Sequence, residues 1–247
     1  MPEGRQGLNM DGTHDGRQTD RLFQDLQEQF SADDPRANGY VSRTFFLRER
    51  DVVHSLLDGG CSERPIVDVA CGNGLMVRGI STAKGPVVGV DFNASACAAA
   101  GRNGVAAVRG DAFRLPFADM SVGAVINCQF LNQQAPDRAE PFLRETARIL
   151  RPGGRLILLW RGQSLAHRGV SFLHGLSGFL GLSKTFPQYR HGLAGIVQAA
   201  SKAGLSPAEA GVTLAVGPAG LVAPKSLQAV LFGASNCLVC VKEVSDK

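Results

Sequence analysis

Four short stretches of the sequence place acidic or amide side chains directly after runs of apolar residues. They read VDVACGNG from Val67, VVGVD from Val87, VRGDA from Val108 and VINC from Val125. In a parallel α/β sheet, ligands bind beyond the carboxyl ends of the strands, where loops and helix N-termini converge. The four stretches are therefore read together, as the rim of one ligand site.

The glycines after the first run test which ligand the loop receives. A dinucleotide fingerprint needs the spacing G-x-G-x-x-G, whose third glycine lets helix and strand pack closely. Counted from Gly72 and Gly74, the third position is Val77. The loop therefore departs from the dinucleotide fingerprint. Asp91 does not discriminate, because an acidic residue after the second strand suits a ribose in either kind of protein.

The order and spacing of four longer segments resemble the class I S-adenosylmethionine-dependent methyltransferases. The segments read VDVACGNG, VVGVDFN, VRGDAFRLPFADMSVGAVIN and LRETARILRPGGRLILL, and together they span about 65–160. The resemblance is greatest to the small-molecule enzymes that include the ubiquinone and menaquinone C-methyltransferases. It implies a Rossmann-like α/β sandwich with a mostly parallel seven-stranded sheet, helices on both faces and an antiparallel last strand. It also implies S-adenosylmethionine as the cofactor and S-adenosylhomocysteine as its product.

The resemblance implies roles for five residues at the methionine end of this cofactor. Gly72 and Gly74 would let the backbone approach the methionine portion, and Ala70 stands where the family often has a first glycine. Asp68 would help to hold the ammonium group, directly or through water. Asn127 would lie beneath the sulfonium, although a buried hydrogen-bonding role without cofactor contact is an equal alternative.

The nucleoside end of the cofactor would be held by residues after the second and third strands. Asp91 would accept hydrogen bonds from both ribose hydroxyls, and Phe92 would lie against the adenine ring. The Asp111 carboxylate would accept from the adenine amino group, while the backbone N–H of Ala112 would face a ring nitrogen. Asp111 has an alternative role, because an aspartate at this position could cap the following turn.

Apolar periodicity predicts the elements that position these residues. Short β-branched runs alternate with helical stretches, including GLMVRGISTA and NASACAAAGRN, as in βαβ units. Residues 19–62 are expected to form an N-terminal helical cap and 63–247 the methyltransferase domain, while the polar residues 1–18 read as a disordered tail. A helix from Tyr189 to Gly204 and strands near 211–216 and 236–243 complete the chain. In related enzymes the N-terminal helical region can fold over the cofactor, so Tyr40 and Arg43 are candidate contacts, with ordinary surface roles as the alternative.

The acceptor is expected to be a hydrophobic small molecule. Residues 163–188 are apolar and glycine-rich, and Phe and Leu recur there at helical spacing, which suits a lid over an apolar ligand, a dimer contact or plain core. Methyl transfer depends mainly on positioning, and a protein base is optional. If one is used, histidine suits neutral pH, and His167, His174 and His191 are the candidates, each with an ordinary structural role as the alternative.

The composition limits the remaining classes of function. A net charge of +4 without a basic stripe disfavours nucleic acid, and the sequence contains neither a long apolar run nor a signal peptide. We therefore expect a cytoplasmic protein without a transmembrane segment. The six cysteines suit reduced thiols, and the CxxC at Cys237 and Cys240 reads as part of a strand, so no metal is expected. The competing functions are a methyltransferase-like binding or scaffold protein and a nicotinamide-dependent reductase.

Overall fold

The computed structural model places one sheet at the centre of the molecule, with helices on both faces. It describes residues 16–40, 43–58, 65–80, 85–161, 189–214 and 233–243. Within these ranges the strands are β1 Ile66–Val69, β2 Val87–Asp91, β3 Ala106–Arg109, β4 Val122–Cys128, β5 Leu150–Arg161, β6 Leu205–Leu214 and β7 Gly233–Lys242. The helices are α1 Gly16–Gln29, α2 Arg43–Asp58, α3 Ala94–Arg102, α4 Ala139–Ile149 and α5 Leu193–Lys202.

The sheet has seven strands in the order β3-β2-β1-β4-β5-β7-β6. The first five in this order pair in parallel, and β7 runs antiparallel to both β5 and β6. The predicted fold class is therefore confirmed. Parallel strands covered on both faces read as continuous apolar runs, and all four residues of β1 are buried. The register pairs Val69 with Val90 and with Asn127, which brings the ends of β1, β2 and β4 to one edge.

Alternate side chains of the central strands pack into two hydrophobic cores, one on each face of the sheet. On one face Val125 packs among residues of α4 and α5, such as Phe142 and Ile196. On the other face Ile126 packs among residues of α2, such as Phe46. This alternation follows from the two-residue period of a strand. It fixes α2 under the same end of the sheet at which the loops after β1 and β4 emerge.

Three sequence expectations about the elements need correction. The stretch GLMVRGISTA forms successive turns over 71–80 rather than a helix, because Gly74 and Gly79 adopt left-handed φ values of +74° and +85°. The sixth strand begins at Leu205, six residues before the expected start, directly after a left-handed Gly204. The helix expected from Tyr189 begins only at Leu193.

Other expectations fall partly outside the described ranges. The insertion at 163–188 lies outside them, as does most of the tail, and the division into a cap at 19–62 and a domain at 63–247 stays a prediction. Cys237 and Cys240 lie in β7 as expected, and they pack into opposite cores. Among the described residues, no group of three His, Cys, Asp or Glu side chains could hold a metal ion. None of the helices described is long and apolar enough to cross a membrane.

Candidate functional site

A cavity of about 720 Å³ opens at the carboxyl ends of the parallel strands. This volume lies within the range of small-molecule sites, roughly 300–1,000 Å³. Most of the residues that the sequence proposed for a cofactor line this cavity. They are Tyr40, Asp68, Ala70, Gly72, Asp91, Phe92, Asp111 and Ala112.

The loop after β1 bends sharply at the mouth of the cavity. Ala70 and Gly72 have φ values of +58° and +54°, and such left-handed residues turn the chain back toward its helix layer. A Cβ on Gly72 would lie 2.3 Å from Oδ1 of Asn38, so the position admits only glycine without rearrangement. Gly74 serves a different purpose, because a Cβ there would meet Ala100 and Val105 at 3.1 Å. It packs the loop onto α3 and is not among the residues described as lining the cavity.

Asp91 is held at the cavity wall by two backbone amides. Gly72 N–H donates to its Oδ2 and Asn93 N–H to its Oδ1, both at 2.9 Å. The residue is 8% exposed, so its carboxylate keeps a face toward the cavity. Charge-assisted bonds of this kind hold an ionised carboxylate in one orientation before a ligand arrives.

Asp68 is buried at the base of the same cavity with an unsatisfied oxygen. It is 2% exposed, and within the described part of the chain its Oδ2 has no hydrogen-bond partner. Burial, and then the nearby charge of Asp91, raise the pKa of Asp68 to about 8. A buried polar atom without a partner is costly. A cationic group in the cavity would both supply the missing partner and restore the ionised form.

The adenine side of the site combines an exposed ring with a turn. Phe92 is 42% exposed and lines the cavity, so part of its ring is open to a ligand. Asp111 Oδ1 accepts from the Phe113 backbone N–H at 2.9 Å. The turn-capping alternative for Asp111 is therefore realised, and the same residue also lines the cavity.

Three other candidates lie away from the cavity. Asn127 is fully buried, donates from Nδ2 to the Val69 carbonyl at 2.8 Å and has no described partner for Oδ1. Arg43 is exposed at the start of α2. His191 Nε2 lies 2.8 Å and 2.9 Å from the carbonyl oxygens of Leu131 and Gln134. Since both are acceptors, Nε2 carries a hydrogen and ties two turns together. The remaining two candidates, His167 and His174, fall outside the described ranges.

Sequence reasoning missed an amide cluster that attaches the N-terminal segment to the glycine loop. Asn38 Oδ1 accepts from the Asn73 backbone N–H at 3.0 Å, and Asn38 Nδ2 donates to Asn73 Oδ1 at 2.7 Å. Asn73 Nδ2 in turn donates to the Asp34 carbonyl at 3.1 Å. Asn38 also lines the cavity. We call Asn38 and Asn73 the amide latch, because the pair closes residues 34–40 over the site.

A second missed group stands behind the other end of the cavity. Glu49 of α2 is fully buried, and its carboxylate accepts from Tyr40 Oη at 2.8 Å, from Gln129 Nε2 at 2.6 Å and from Ser235 Oγ. Tyr40 and Gln129 line the cavity, so they separate Glu49 from it. The sequence held one signal for Glu49, since it falls on the apolar stripe of α2, three residues after Phe46 and four before Val53.

An aromatic lobe extends the cavity beyond β4. Phe113 and Phe130 line it, with ring centroids 5.9 Å apart. The guanidinium of Arg138 lies 3.9 Å from the Phe113 centroid, within cation–π distance. This lobe offers apolar surface, whereas the walls around Asp68 and Asp91 offer polar groups.

The thiols beside the cavity are unreactive. Burial raises the pKa of Cys71 and of Cys128 far above that of a free thiol, and nearby carboxylates raise both further. Only the thiolate is nucleophilic. Both cysteines therefore act as small packing residues.

The arrangement suits a ligand with an ammonium group, a vicinal diol and an aromatic base. Asp68 offers a buried oxygen that lacks a partner, Asp91 a fixed carboxylate, and Phe92 an uncovered ring face. Gly72 admits close approach of the ligand to the backbone. The residues present therefore fit S-adenosylmethionine, the group that the sequence resemblance implies.

Comparison with known proteins finds similarity to methyltransferases. Residues 67–158 match the family model described as "Methyltransferase domain". A demethylmenaquinone methyltransferase from Corynebacterium kroppenstedtii is 31% identical over 140 residues, which cover 57% of this chain and 58% of that protein. A probable S-adenosylmethionine-dependent methyltransferase from Mycobacterium tuberculosis is 30% identical over 116 residues, covering 46% of this chain and 42% of the relative. The chain thus spans about half the length of these relatives.

Solved structures share the fold at low sequence identity. Magnesium protoporphyrin IX methyltransferase from Synechocystis, solved with bound S-adenosylhomocysteine, aligns with a TM-score of 0.59 at 19% identity, over 80% of this chain and 84% of that one. Geranyl diphosphate C-methyltransferase from Streptomyces coelicolor aligns with a TM-score of 0.56 at 15% identity, over 78% and 77%. Both likenesses concern the fold.

Proposed function

We propose that this chain, whose residues 67–158 match the family model described as "Methyltransferase domain", is a class I S-adenosylmethionine-dependent methyltransferase that transfers a methyl group to a hydrophobic small molecule. The observation that carries the proposal is Asp68, a buried carboxyl with an unpartnered oxygen at the base of the cavity. A cationic ligand group in the cavity would supply the partner that this oxygen lacks.

In the proposed complex, the chain's own residues bind and orient the cofactor. Asp68 receives the ammonium of the methionine portion, Asp91 the ribose hydroxyls, and Phe92 one face of the adenine. Asp111 and the Ala112 backbone N–H contact the base edge, and Tyr40 covers the methionine end. When bound, the cofactor supplies a sulfonium-activated methyl group and leaves as S-adenosylhomocysteine.

The acceptor belongs to the aromatic lobe in this proposal. Phe113 and Phe130 present apolar surface there, and Arg138 stacks on one of the two rings. An apolar ligand in this lobe would displace water from the path between acceptor and methyl group, and exclusion of water strengthens positioning. The relative named for demethylmenaquinone supports an apolar acceptor as well.

We also propose a cytoplasmic location and a single-chain or homodimeric enzyme that works without nucleic acid. The five described cysteines are free thiols, which suits a reducing compartment. Light scattering of the purified protein, with and without 163–188, tests the homodimer.

Thermal unfolding with S-adenosylhomocysteine tests the cofactor assignment without knowledge of the acceptor. A ligand that binds only the folded state raises the melting temperature, so we expect a concentration-dependent rise for the wild type. Asp91→Ala should abolish most of this rise, because it removes the ribose partner and frees the Gly72 amide. Asp51→Ala, an exposed carboxylate of α2, is the matched control and should keep the full shift.

The same experiment separates the alternatives. A shift with NADPH and none with S-adenosylhomocysteine would replace the proposal with a nicotinamide-dependent reductase. A normal cofactor shift without transfer of label to any organic-soluble acceptor would favour a binding or scaffold protein of this fold.

A further inference from the structure

The carboxylate of Glu49 lies at the centre of a buried polar network that shares only Tyr40 with the proposed cofactor site. The network joins α2 to the ends of three strands. Glu49 accepts from Tyr40, Gln129 and Ser235, and Gln129 also accepts from Asn132 Nδ2 at 2.6 Å. Gln129 has a left-handed φ of +66°, which is uncommon for a residue with a Cβ. A backbone held in this conformation needs strong partners, and the network provides them.

One backbone amide determines the orientation of both side-chain amides in this network. The Arg161 N–H can only donate, and Asn132 Oδ1 accepts from it at 3.0 Å. The Asn132 amide nitrogen therefore faces Gln129 Oε1, and Gln129 Nε2 must face Glu49. Glu49 Oε1 is consequently an acceptor, while its Oε2 lies 2.8 Å from Tyr40 Oη. This arrangement fits an ionised carboxylate, which accepts hydrogen bonds at both oxygens.

Tyr40 connects Glu49 to the cavity. Glu49 is fully buried, whereas Tyr40 is 9% exposed and lines the cavity beside Cys128 and Gln129. The Tyr40 hydroxyl donates its hydrogen to Glu49, and a hydroxyl oxygen can accept a hydrogen bond while it donates one. A hydroxyl of a bound acceptor can therefore donate to Tyr40 Oη.

We propose that Tyr40 and Glu49 form a proton relay for an acceptor that carries a phenolic or enolic hydroxyl. The inference rests on the proposed methyltransferase function and narrows its substrate class. As the acceptor's O–H bond breaks, its proton moves to Tyr40 Oη and the Tyr40 proton moves to Glu49 Oε2. The electron pair left on the acceptor forms the bond to the methyl carbon, and the pair of the breaking C–S bond stays on sulfur. The Glu49 proton returns through Tyr40 to water after the product leaves.

The charge around Glu49 sets the pH range in which the relay works. Burial raises the pKa of Glu49 to about 7, against the lowering effect of its three hydrogen bonds and of the Arg161 charge. Burial also raises the pKa of Tyr40, so the tyrosine passes a proton on without becoming an anion. The ionisable groups that face Glu49 from the surrounding elements are Tyr40, Cys128, Arg161 and Cys237. The relay accepts a proton through the ionised form of Glu49, whose share increases as the pH rises through about 7.

Single-turnover transfer of labelled methyl from S-adenosylmethionine to 1,4-naphthalenediol tests the relay. This probe is an apolar aromatic with two ionisable hydroxyls. For the wild type we expect a rate that rises through about pH 7 and then levels off. Glu49→Gln and Tyr40→Phe should lower the rate at pH 8 by about 100-fold or more and remove this pH dependence, since general base catalysis contributes roughly 10²–10⁴-fold. Glu49→Gln, whose side chain does not line the cavity, should bind S-adenosylhomocysteine within about threefold of the wild type, a difference below 1 kcal/mol.

Three variants separate a relay from a structural role of the same network. Ser235→Ala removes a hydrogen bond that lowers the pKa of Glu49, so the rise in rate should move to higher pH while the plateau is kept. Tyr189→Phe removes a hydroxyl from another tyrosine of the cavity and should leave the position of the rise unchanged. Asp51→Asn removes an exposed carboxylate two residues from Glu49 and should leave the whole profile unchanged.

The outcomes are distinguishable. Equal rates and profiles in the wild type, Glu49→Gln and Tyr40→Phe would overturn the relay. Binding of S-adenosylhomocysteine without methylation of 1,4-naphthalenediol would overturn the hydroxyl-bearing substrate class and leave the proposed function in place. Failure of the wild type to bind S-adenosylhomocysteine would instead overturn the proposed function.

Discussion

Asp68 and Glu49 are both buried carboxyl groups at one end of the sheet, and they differ in how many hydrogen bonds the chain donates to them. Glu49 accepts hydrogen bonds from three side chains contributed by separate segments. Asp68 has one oxygen for which the described residues provide no donor. The chain thus completes the Glu49 carboxylate with its own side chains. It leaves Asp68 Oδ2 open to a partner from a ligand in the cavity.

This difference has a consequence for stability. Burial raises the pKa of Asp68 to about 8 from an ordinary 3.8, so the folded protein binds a proton that the unfolded chain has already lost between these values. Stability from this group therefore falls as pH rises from about 4 to 8 and is constant above. Burial of the Asp68 carboxyl therefore lowers the stability of the folded protein at neutral pH, and a bound cation would offset this cost.

The largest expected effect concerns stability and separates the two carboxyls. Glu49→Ala leaves the Tyr40 and Ser235 hydroxyls without their acceptor, at about 1–3 kcal/mol for each unsatisfied group, and Gln129 Nε2 keeps only Ser235 Oγ. We expect the free energy of unfolding in urea at pH 8.5 to fall by about 3 kcal/mol or more. Asp68→Ala strands no donor at Oδ2 and should leave the stability unchanged or raise it. Equal losses in the two variants would show that Asp68 is as well satisfied as Glu49.

A smaller effect is expected on cofactor binding, and here the Asp68 variant should lose more than the Glu49 variant. Asp68→Asn should weaken S-adenosylhomocysteine by about 10- to 100-fold at pH 8.5, because a charged hydrogen bond contributes roughly 1.5–3 kcal/mol. Glu49→Gln should change the dissociation constant by less than about threefold, a difference below 1 kcal/mol. Titration calorimetry measures both. A larger loss of affinity in Glu49→Gln than in Asp68→Asn would mean that the cofactor binds beside Glu49 and not beside Asp68.

The smallest effect is expected from the amide latch. Asn38→Ala removes two hydrogen bonds to Asn73, each contributing about 0.5–1.5 kcal/mol. We expect S-adenosylhomocysteine to bind about three- to tenfold more weakly, mainly through faster dissociation, because residues 34–40 then open more often. The pH dependence of methyl transfer should not change, since the latch does not contact Glu49. A shift of that dependence would mean that the two ends of the cavity are coupled.

The two regions also differ in how far the sequence predicts them. The strands, their parallel order and the loop residues from Asp68 to Ala112 follow local rules: apolar runs, glycines and strand ends that share one edge. The helix predicted for the stretch after Gly74 was wrong, because the apolar spacing there suits a helix while its glycines adopt left-handed φ values. Glu49 stands in the charged run RERD, which resembles a solvated helix face. Its partners Gln129 and Ser235 lie 80 and 186 residues away, and only the folded sheet brings them together.

The histidines also show that residue type alone does not determine the role of a side chain. His191 has the right residue type for a base, yet its ring nitrogen is used by two backbone carbonyls. Residue type alone indicated a function, and the hydrogen-bond partners indicate a structural role. Burial and partners, which depend on contacts distant in sequence, decide between the two.

The central claim is that Asp68 binds the cationic group of the ligand. Proton release on binding of S-adenosylhomocysteine tests this claim most directly. Calorimetric titrations at pH 7 in two buffers of different ionisation enthalpy count the protons exchanged. With the pKa of Asp68 raised to about 8 in the free protein, we predict that roughly one proton leaves the wild type as the ammonium binds, and none leaves Asp68→Asn. Binding of S-adenosylhomocysteine with no proton release from the wild type, or with equal release from both proteins, would contradict it.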